Sequence, residues 1–218
     1  ILIASDFHGK SSSGSNLENI LEEGYDLLMI LGDLTQLGAP CQADELFDRL
    51  DKTGVPILSI PGNCDPKEIV DVLERRNISL HSRVREFDDL IFVGLGGSNK
   101  TPFSTPFELT EAEIWDELDS LTEKVDGDWI LVTHVPPYDT EADLTSDNIH
   151  AGSKSVRKII EEKEPIVNFC AHIHEARGLE DFGNTKVVNA GPISEGYAAE
   201  FIYENGDYEI NLLDIEDR

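Results

Sequence analysis

The 218-residue sequence predicts an α/β fold in which two mixed β-sheets pack face to face with helices outside. Three observations predict it. Short apolar runs alternate with helix-like segments through the first two thirds, the pattern of βαβ units and a mostly parallel sheet. The tail carries an Asn205-Gly206 pair between β runs, a strong hairpin signal that adds antiparallel strands. Five apolar runs end in residues that can ligate metals, and the carboxyl edge of a central sheet is where α/β proteins place their ligand crevices.

In chain order, Ile1-Leu2-Ile3-Ala4-Ser5 runs into Asp6-Phe7-His8, and residues 16–23 follow as a helix with Leu17, Ile20 and Leu21 on one face. Leu27-Leu28-Met29-Ile30-Leu31 runs into Gly32-Asp33, after which residues 42–52 put Leu46, Phe47 and Leu50 at helical spacing. Ile57-Leu58-Ser59-Ile60-Pro61 leads into Gly62-Asn63-Cys64-Asp65. Pro66 then suits the first position of a helix carrying Ile69, Val70 and Leu73, with Asp65 as its cap. Residues 86–97 hold an Asp-Asp turn between short β runs. Residues 94–106, rich in Gly, Ser, Thr and Pro, read as a loop long enough to be functional. Thr110, with Glu113 as capping-box partner, starts an amphipathic helix reaching about Val125. Trp129-Ile130-Leu131-Val132-Thr133 precedes His134, residues 153–164 form the last helix, and Ile166-Val167-Asn168-Phe169-Cys170-Ala171 precedes His172-Ile173-His174. Residues 186–189 and 197–214 supply the terminal β runs. No repeat and no composition break divides the chain, so residues 1–218 are expected to form a single domain.

Charge and cysteine content narrow the setting. Forty-four acidic against 17 basic residues give a net charge of −27, which repels a nucleic-acid polymer and offers no basic stripe for a phosphate backbone. No segment approaches the ~20 apolar residues that span a bilayer, and no leader or lipidation motif stands at the start. Three widely spaced cysteines argue against a disulfide framework, and the expected location is the cytoplasm. Homo-oligomerisation is left open.

Each metal-binding piece has an ordinary explanation when taken alone. Asp6-x-His8 puts a carboxylate and an imidazole on one side of extended backbone, yet Asp and His often occur together without consequence. Gly32-Asp33 and Gly62-Asn63 are common turn pairs, and a lone His134 behind an apolar strand is usually a satisfied core residue. His172-x-His174 is the strongest piece, because two imidazoles at spacing two share a face. Five independent coincidences at five strand ends, in a chain with six histidines, make a poor joint explanation. Seven N and O ligands are about what two divalent ions sharing a bridging carboxylate require.

The order Asp-x-His, Gly-Asp, Gly-Asn, His and His-x-His resembles the calcineurin-like metallophosphoesterases over nearly the whole chain. Thr133-His134-Val135-Pro136-Pro137 and Val188-Asn189-Ala190-Gly191 look like that family's segments around its fourth and last motifs. The loop Gly96-Gly97-Ser98-Asn99-Lys100-Thr101-Pro102-Phe103 looks like a small prokaryotic, notably archaeal, branch related to the Icc-type phosphodiesterases. The resemblance implies a four-layer αββα sandwich. It assigns one metal to Asp6, His8 and His174, a second to Asn63, His134 and His172, and makes Asp33 the bridge. It also implies hydrolysis of a small phosphodiester, or less readily a monoester, by a metal-bridging hydroxide. Asp33, Asn63 and His134 are then the residues nearest the chemistry. Mn²⁺ is the preferred ion, because Asp, Asn and His together suit a hard-to-borderline cation; Fe, Zn, Ni or Co fit the same ligands.

Two departures stand out. The family usually reads Gly-Asn-His where this chain has Gly62-Asn63-Cys64, and an unperturbed thiol is a weak donor without positive charge. It also usually has Gly where Ala171 precedes His172, a change expected to be tolerated if the local φ is negative. The substitution at Cys64 keeps open a catalytically weak, metal-stabilised binding module, the role of the retromer subunit that resembles this family. A DNA-repair nuclease of the superfamily is disfavoured by the charge. Lys10, Asn99, Lys100, His150 and Arg177 lie on loops near motif ends, where polar residues are ordinarily solvated. Cys41 and Cys170 read as small core residues, and His81 is given no role.

Overall fold

A computed structural model of the chain describes residues 1–10, 17–123 and 125–215. The strands alternate in the way a sheet buried on both faces demands. Leu2 and Ala4 of β1 (Leu2–Ala4), with Leu28 and Ile30 of β2 (Leu28–Ile30), face a layer of helices, whereas Ile3 and Met29 face the other sheet. In β6 (Trp129–Thr133), Ile130 and Val132 point between the sheets while Trp129 and Leu131 point out to a second helical layer. Three apolar clusters therefore separate four layers, helix, sheet, sheet, helix. Phe169 and Phe201 meet edge to face in the middle cluster, 5.6 Å between ring centroids. Full burial of one such side chain stabilises the fold by about 1.5–3 kcal/mol.

The first sheet runs, in spatial order, β11 (Asp207–Asp214), β10 (Tyr197–Glu204), β1, β2 and β3 (Ile57–Ser59). Strands β1, β2 and β3 are parallel, and β10 lies antiparallel to both β1 and β11. The β10–β11 turn is the predicted Asn205-Gly206, both residues at positive φ (53° and 92°) as a tight hairpin needs. The second sheet runs β4 (Arg83–Phe87), β5 (Leu90–Leu95), β6, β7 (Val167–Cys170), β9 (Thr185–Asn189) and β8 (Gly178–Phe182). Its four central strands are parallel, with β4 and β8 antiparallel at the two edges. Both sheets are mixed, as expected.

Helices differ from expectation mainly at their ends. Residues 17–21 are helical and carry buried Leu17, Ile20 and Leu21; Asn16, the first residue of the expected helix, lies outside the described residues. Helix α1 (Pro40–Leu50) opens on Pro40 and hands over to a 3₁₀ turn at Asp51–Thr53. Its buried face is Ala43, Phe47 and Leu50, which leaves Cys41 exposed, against the core role expected of it; Cys170 is fully buried. Helix α2 (Ile69–Arg75) begins three residues after Pro66, and no side chain caps it. Asp65 is engaged elsewhere, so its predicted capping role is wrong. Helix α3 (Glu111–Thr122) has the predicted Thr110–Glu113 capping box, and Ser153 caps α4 (Lys154–Lys163) through Val156 N. Strand β8 is not among the expected elements: its polar, half-exposed run pairs with β9 where the Gly183-Asn184 turn folds it back. No helix among the described residues is long and apolar enough to cross a membrane.

Candidate metal centre

The strands stop and the ligand loops begin within a few residues. Asp6 follows β1, Asp33 follows β2 and Asn63 follows β3, all at the carboxyl edge of the first sheet. His134 follows β6, and His172 and His174 follow β7, at the same edge of the second sheet. Backbone bonds tie the loops together: Asp6 N donates to Gly32 O (3.0 Å), His8 N to Asp33 O (2.9 Å) and Ala171 N to His134 O (2.9 Å). Gly32 sits at φ 98°, and a Cβ there would overlap the backbone of Gly62; a Cβ on Gly62 would in turn overlap the Asp33 carboxylate. Both positions therefore need glycine for close approach, and Gly32 for its conformation as well.

Four of the seven predicted ligands are non-glycine residues in the left-handed region: Asp6 (φ 56°), His8 (47°), Asp33 (49°) and His172 (72°). Each costs on the order of 1 kcal/mol, a strain that concentrates where side chains must be aimed at one point. Ala171 keeps a negative φ, as its tolerance required; the left-handed turn falls on His172 instead.

All seven residues come together. His8 Nε2 lies 3.1 Å from His174 Nε2, and His174 Nε2 lies 3.4 Å from Asp6 Oδ1. Asp33 is shared: Oδ2 is 3.8 Å from His8 Nε2 and Oδ1 is 3.6 Å from His134 Nε2. The His172 ring packs 5.2 Å from that of His134. His134 Nδ1 is 2.7 Å from the Leu31 carbonyl, which can only accept, so the ring's hydrogen sits there. Its Nε2 is then a bare lone pair, 2.9 Å from Asn63 Oδ1. Two acceptors facing each other at that separation suit a cation between them.

The titration pattern has the same origin. Burial drives His172 down to about 3, with the His134 ring adding to it, and burial likewise lowers His134 and His8. These imidazoles are neutral at physiological pH and free to ligate. Burial pushes Asp33 well above the usual carboxylate range, reinforced by the nearby charges of Asp6 and Asp65. Burial also works to raise Asp6, but the imidazoles of His174 and His134 outweigh it and hold that carboxyl below its ordinary value. His174 is raised by its contact with Asp6.

The donor set fits divalent cations. Both oxygens of Asp6 and Nδ1 of His8 are buried without a hydrogen-bond partner, an arrangement that is costly unless something else satisfies it. Ligand atoms of Asp6, His8 and His174 lie within 4.8 Å of one another, as do those of Asp6, Asp33 and His134. A further group, His8, Asp33 and Cys64, meets the same limit and also contains Asp33.

Several residues have roles that sequence reasoning did not find. Asp65 is fully buried and accepts from Leu34 N (3.1 Å), Thr35 N (2.8 Å), Thr35 Oγ1 (3.0 Å) and Gly62 N (2.9 Å). It thus clamps the loop after β2 to the loop after β3, beside Asp33. Burial lifts its carboxyl to about 6 against the pull of those backbone donors. His81 Nδ1 accepts from Gly96 N (3.0 Å) and its ring meets Phe107 edge-on, bracing the start of the long loop. Asp143, also fully buried, accepts from Asp139 N, Thr140 N and Gly152 N and from His150 Nδ1 (2.6 Å). Cys64 is half-buried; its N–H donates to Asp33 Oδ1 (2.8 Å), while burial and the neighbouring carboxylates push its thiol far up.

The loop candidates divide. Asn99 donates to the carbonyls of Ala151 and Gly152 (3.3 and 3.2 Å), and exposed Lys100 sits 3.7 Å from Glu108. Exposed Lys10 reaches the Ser194 carbonyl at 3.5 Å. Arg177 is bonded to Leu213 O (3.0 Å) and stacked over Tyr197. His150 lines a cavity of about 830 Å³ whose wall also includes His172 and His174.

Strands, edge and ligand cluster together define a metallophosphoesterase sandwich. Residues 1–176 match the calcineurin-like phosphoesterase family, and the chain belongs to it. It is 38% identical over 216 residues to the uncharacterized protein MJ1162 of Methanocaldococcus jannaschii, covering 97% of this chain and 93% of that one. The fold is similar to the crystal structure of TT1561 of Thermus thermophilus (TM-score 0.72, 20% identity, 99% and 94% of the two chains). It is also similar to a dimetal phosphatase from Danio rerio (TM-score 0.69, 11% identity, 98% and 95% covered).

Proposed function

We propose that the protein is a cytoplasmic, single-domain phosphoesterase that uses two divalent ions to hydrolyse a small phosphodiester, with monoesters as weaker substrates. The observation that carries this reading is the convergence of ligand atoms from both sheets on one carboxylate, Asp33. Asp6, His8 and His174 would hold one ion, Asn63, His134 and His172 the other, and Asp33 both. Mn²⁺ is the preferred occupant on donor chemistry, with Fe, Zn, Ni and Co able to use the same set. When bound, such a pair supplies a water-derived nucleophile at neutral pH and neutralises charge on phosphorus oxygens.

The chain's own contribution is orientation. The Leu31 carbonyl fixes the His134 tautomer, Asp65 fixes the backbone around Asp33, and Gly32 and Gly62 let the two loops touch. Cys64 brings no cationic group to the departing oxygen, and this favours a second reading as a weakly catalytic binding module. Three free cysteines, one of them exposed, agree with a reducing compartment.

The test is a panel of metals against diesters, cyclic nucleotides and monoesters, run beside Asp33→Asn. Turnover that needs two bound ions, and loss of both metal and activity in the variant, is the expected result. An Asp33→Asn protein with two ions and normal turnover would end the dinuclear assignment. Two bound ions without turnover on any phosphoester would favour the binding module.

A further inference from the structure

Phe103 is 83% exposed and Ile149 61% exposed, and both line the cavity that His172 and His174 also line. Large apolar side chains left in water beside a candidate site mark the surface that a ligand covers. Their exposure is built in. Glu108 accepts from Thr101 Oγ1 and from Thr105 N and Oγ1, which staples the loop bearing Phe103. Asp143 holds the opposite segment through Thr140 N, His150 Nδ1 and Gly152 N, and Asn99 ties the two walls by donating to Ala151 O and Gly152 O.

The wall is aromatic, with Lys100 and Lys154 set among the acids Glu111, Asp147 and Glu175. Tyr138 and His150 meet edge-on, 5.8 Å between centroids, and Lys154 Nζ lies 5.1 Å over the Tyr138 ring. Of the wall's three acids, Glu111 is occupied by the first turn of α4 and Glu175 by Ser146 N, while Asp147 stands at the exposed rim. Three rings around one space favour a flat partner, which can stack on one ring and meet the edge of another.

We propose that this cavity is the subsite for an aromatic group of the phosphoester, with Phe103 as its stacking face and the phosphate directed to the centre beside His172 and His174. The inference rests on the phosphoesterase reading and adds the substrate class, an ester carrying an aromatic ring one or two bonds from phosphorus. Ile149 closes the opposite side, and the Tyr138–His150 pair forms the end wall.

Equilibrium binding of phosphonates to the Mn²⁺-loaded protein tests this without turnover. Phenylphosphonate is expected to bind roughly tenfold more tightly than methylphosphonate, with cyclohexylphosphonate between them, a difference the size of one aromatic contact. Phe103→Ala, on an exposed loop position that should not endanger folding, is expected to bring the ratio near one, and Phe103→Trp to keep it. Equal affinity for phenyl- and methylphosphonate overturns the subsite and leaves the phosphoesterase reading standing. Cyclohexyl- and phenylphosphonate binding alike overturns the aromatic assignment. A metal-loaded protein that binds none of the three overturns the reading and the subsite together.

Discussion

Replacing Asp143 by Asn should unfold this protein more readily than any surface charge change, because a buried carboxylate can satisfy four donors and an amide cannot. Oδ1 accepts from Thr140 N (3.0 Å) and His150 Nδ1 (2.6 Å), and Oδ2 from Asp139 N (3.2 Å) and Gly152 N (2.9 Å). If the new NH₂ takes the place of Oδ2, two backbone N–H groups lose their acceptor. If it takes the place of Oδ1, His150 can switch tautomer and accept, but Thr140 N is stranded. The cheaper second arrangement still leaves one orphaned donor, about 1–3 kcal/mol, and forfeits a charged hydrogen bond, about 1.5–3 kcal/mol. The expected loss is therefore roughly 2.5–6 kcal/mol, a large share of the ~5–15 kcal/mol typical of a domain. It corresponds to a fall in Tm on the order of 10 °C for a chain of this length. Urea unfolding followed by circular dichroism measures it, with Asp139→Asn as the control. That carboxylate is 60% exposed and pairs with Arg157 at 3.1 Å, so its removal should cost about 1 kcal/mol or less. If Asp143→Asn costs no more than Asp139→Asn, the buried clamp contributes nothing and the reasoning fails.

Two further outcomes follow from side chains beside the centre. With Cys64 in place, activated aryl diesters should be cleaved much faster than alkyl ones, since general acid help worth about 10²–10⁴-fold is missing for poor leaving groups. Cys64→His should narrow that gap, and identical leaving-group slopes with both metals bound would show that position 64 has no part in protonation. His150 is raised above its ordinary value chiefly by its hydrogen bond to Asp143, against the opposing effect of burial, with the charges of Asp143, Asp139 and Glu180 adding to the rise. Its stabilising contribution is then fully present below about pH 6.5 and is lost as pH climbs through the folded value. His150→Gln should accordingly cost more stability at pH 5.5 than at pH 9, and equal losses in urea at the two pH values would sink this account.

How much of the fold and the centre is legible in the sequence depends on how local each signal is. Strand ends are local: an apolar run followed by Asp6, Asp33, Asn63, His134 or His172 puts a ligand at a sheet edge wherever the rest of the chain goes. The Thr110–Glu113 box and the Asn205-Gly206 hairpin are local too, and both stand where expected. Asp65 misleads because its place before a proline suits a cap, while its true partners at Leu34 and Thr35 are some thirty residues away. Strand β8, Gly-Leu-Glu-Asp-Phe, offers too polar and too exposed a run to be distinguished from loop without β9 beside it. Cys41 falls on the wrong side because which face of α1 is buried is set by Phe47 and Leu50 and not by its own polarity. His81 acts through a backbone N–H fifteen residues on, a contact that no spacing announces.

The position of β1 has a consequence for how the molecule is made. On one side it pairs with β2, nearby in sequence; on the other, Leu2 lies opposite Glu200 of β10, far along the chain. During synthesis the first sheet therefore waits, its central strand half-paired, until Glu200 and its neighbours have emerged. A growing chain exposes Asp6, His8, Asp33 and Asn63 early, but the imidazoles of the second sheet arrive at His134, His172 and His174. The early nascent chain thus carries only the two carboxylates, one amide and one histidine of the candidate set. The seven candidate ligands stand together only once both sheets have formed, so any ion they hold would be chosen by the folded protein and not by the growing chain.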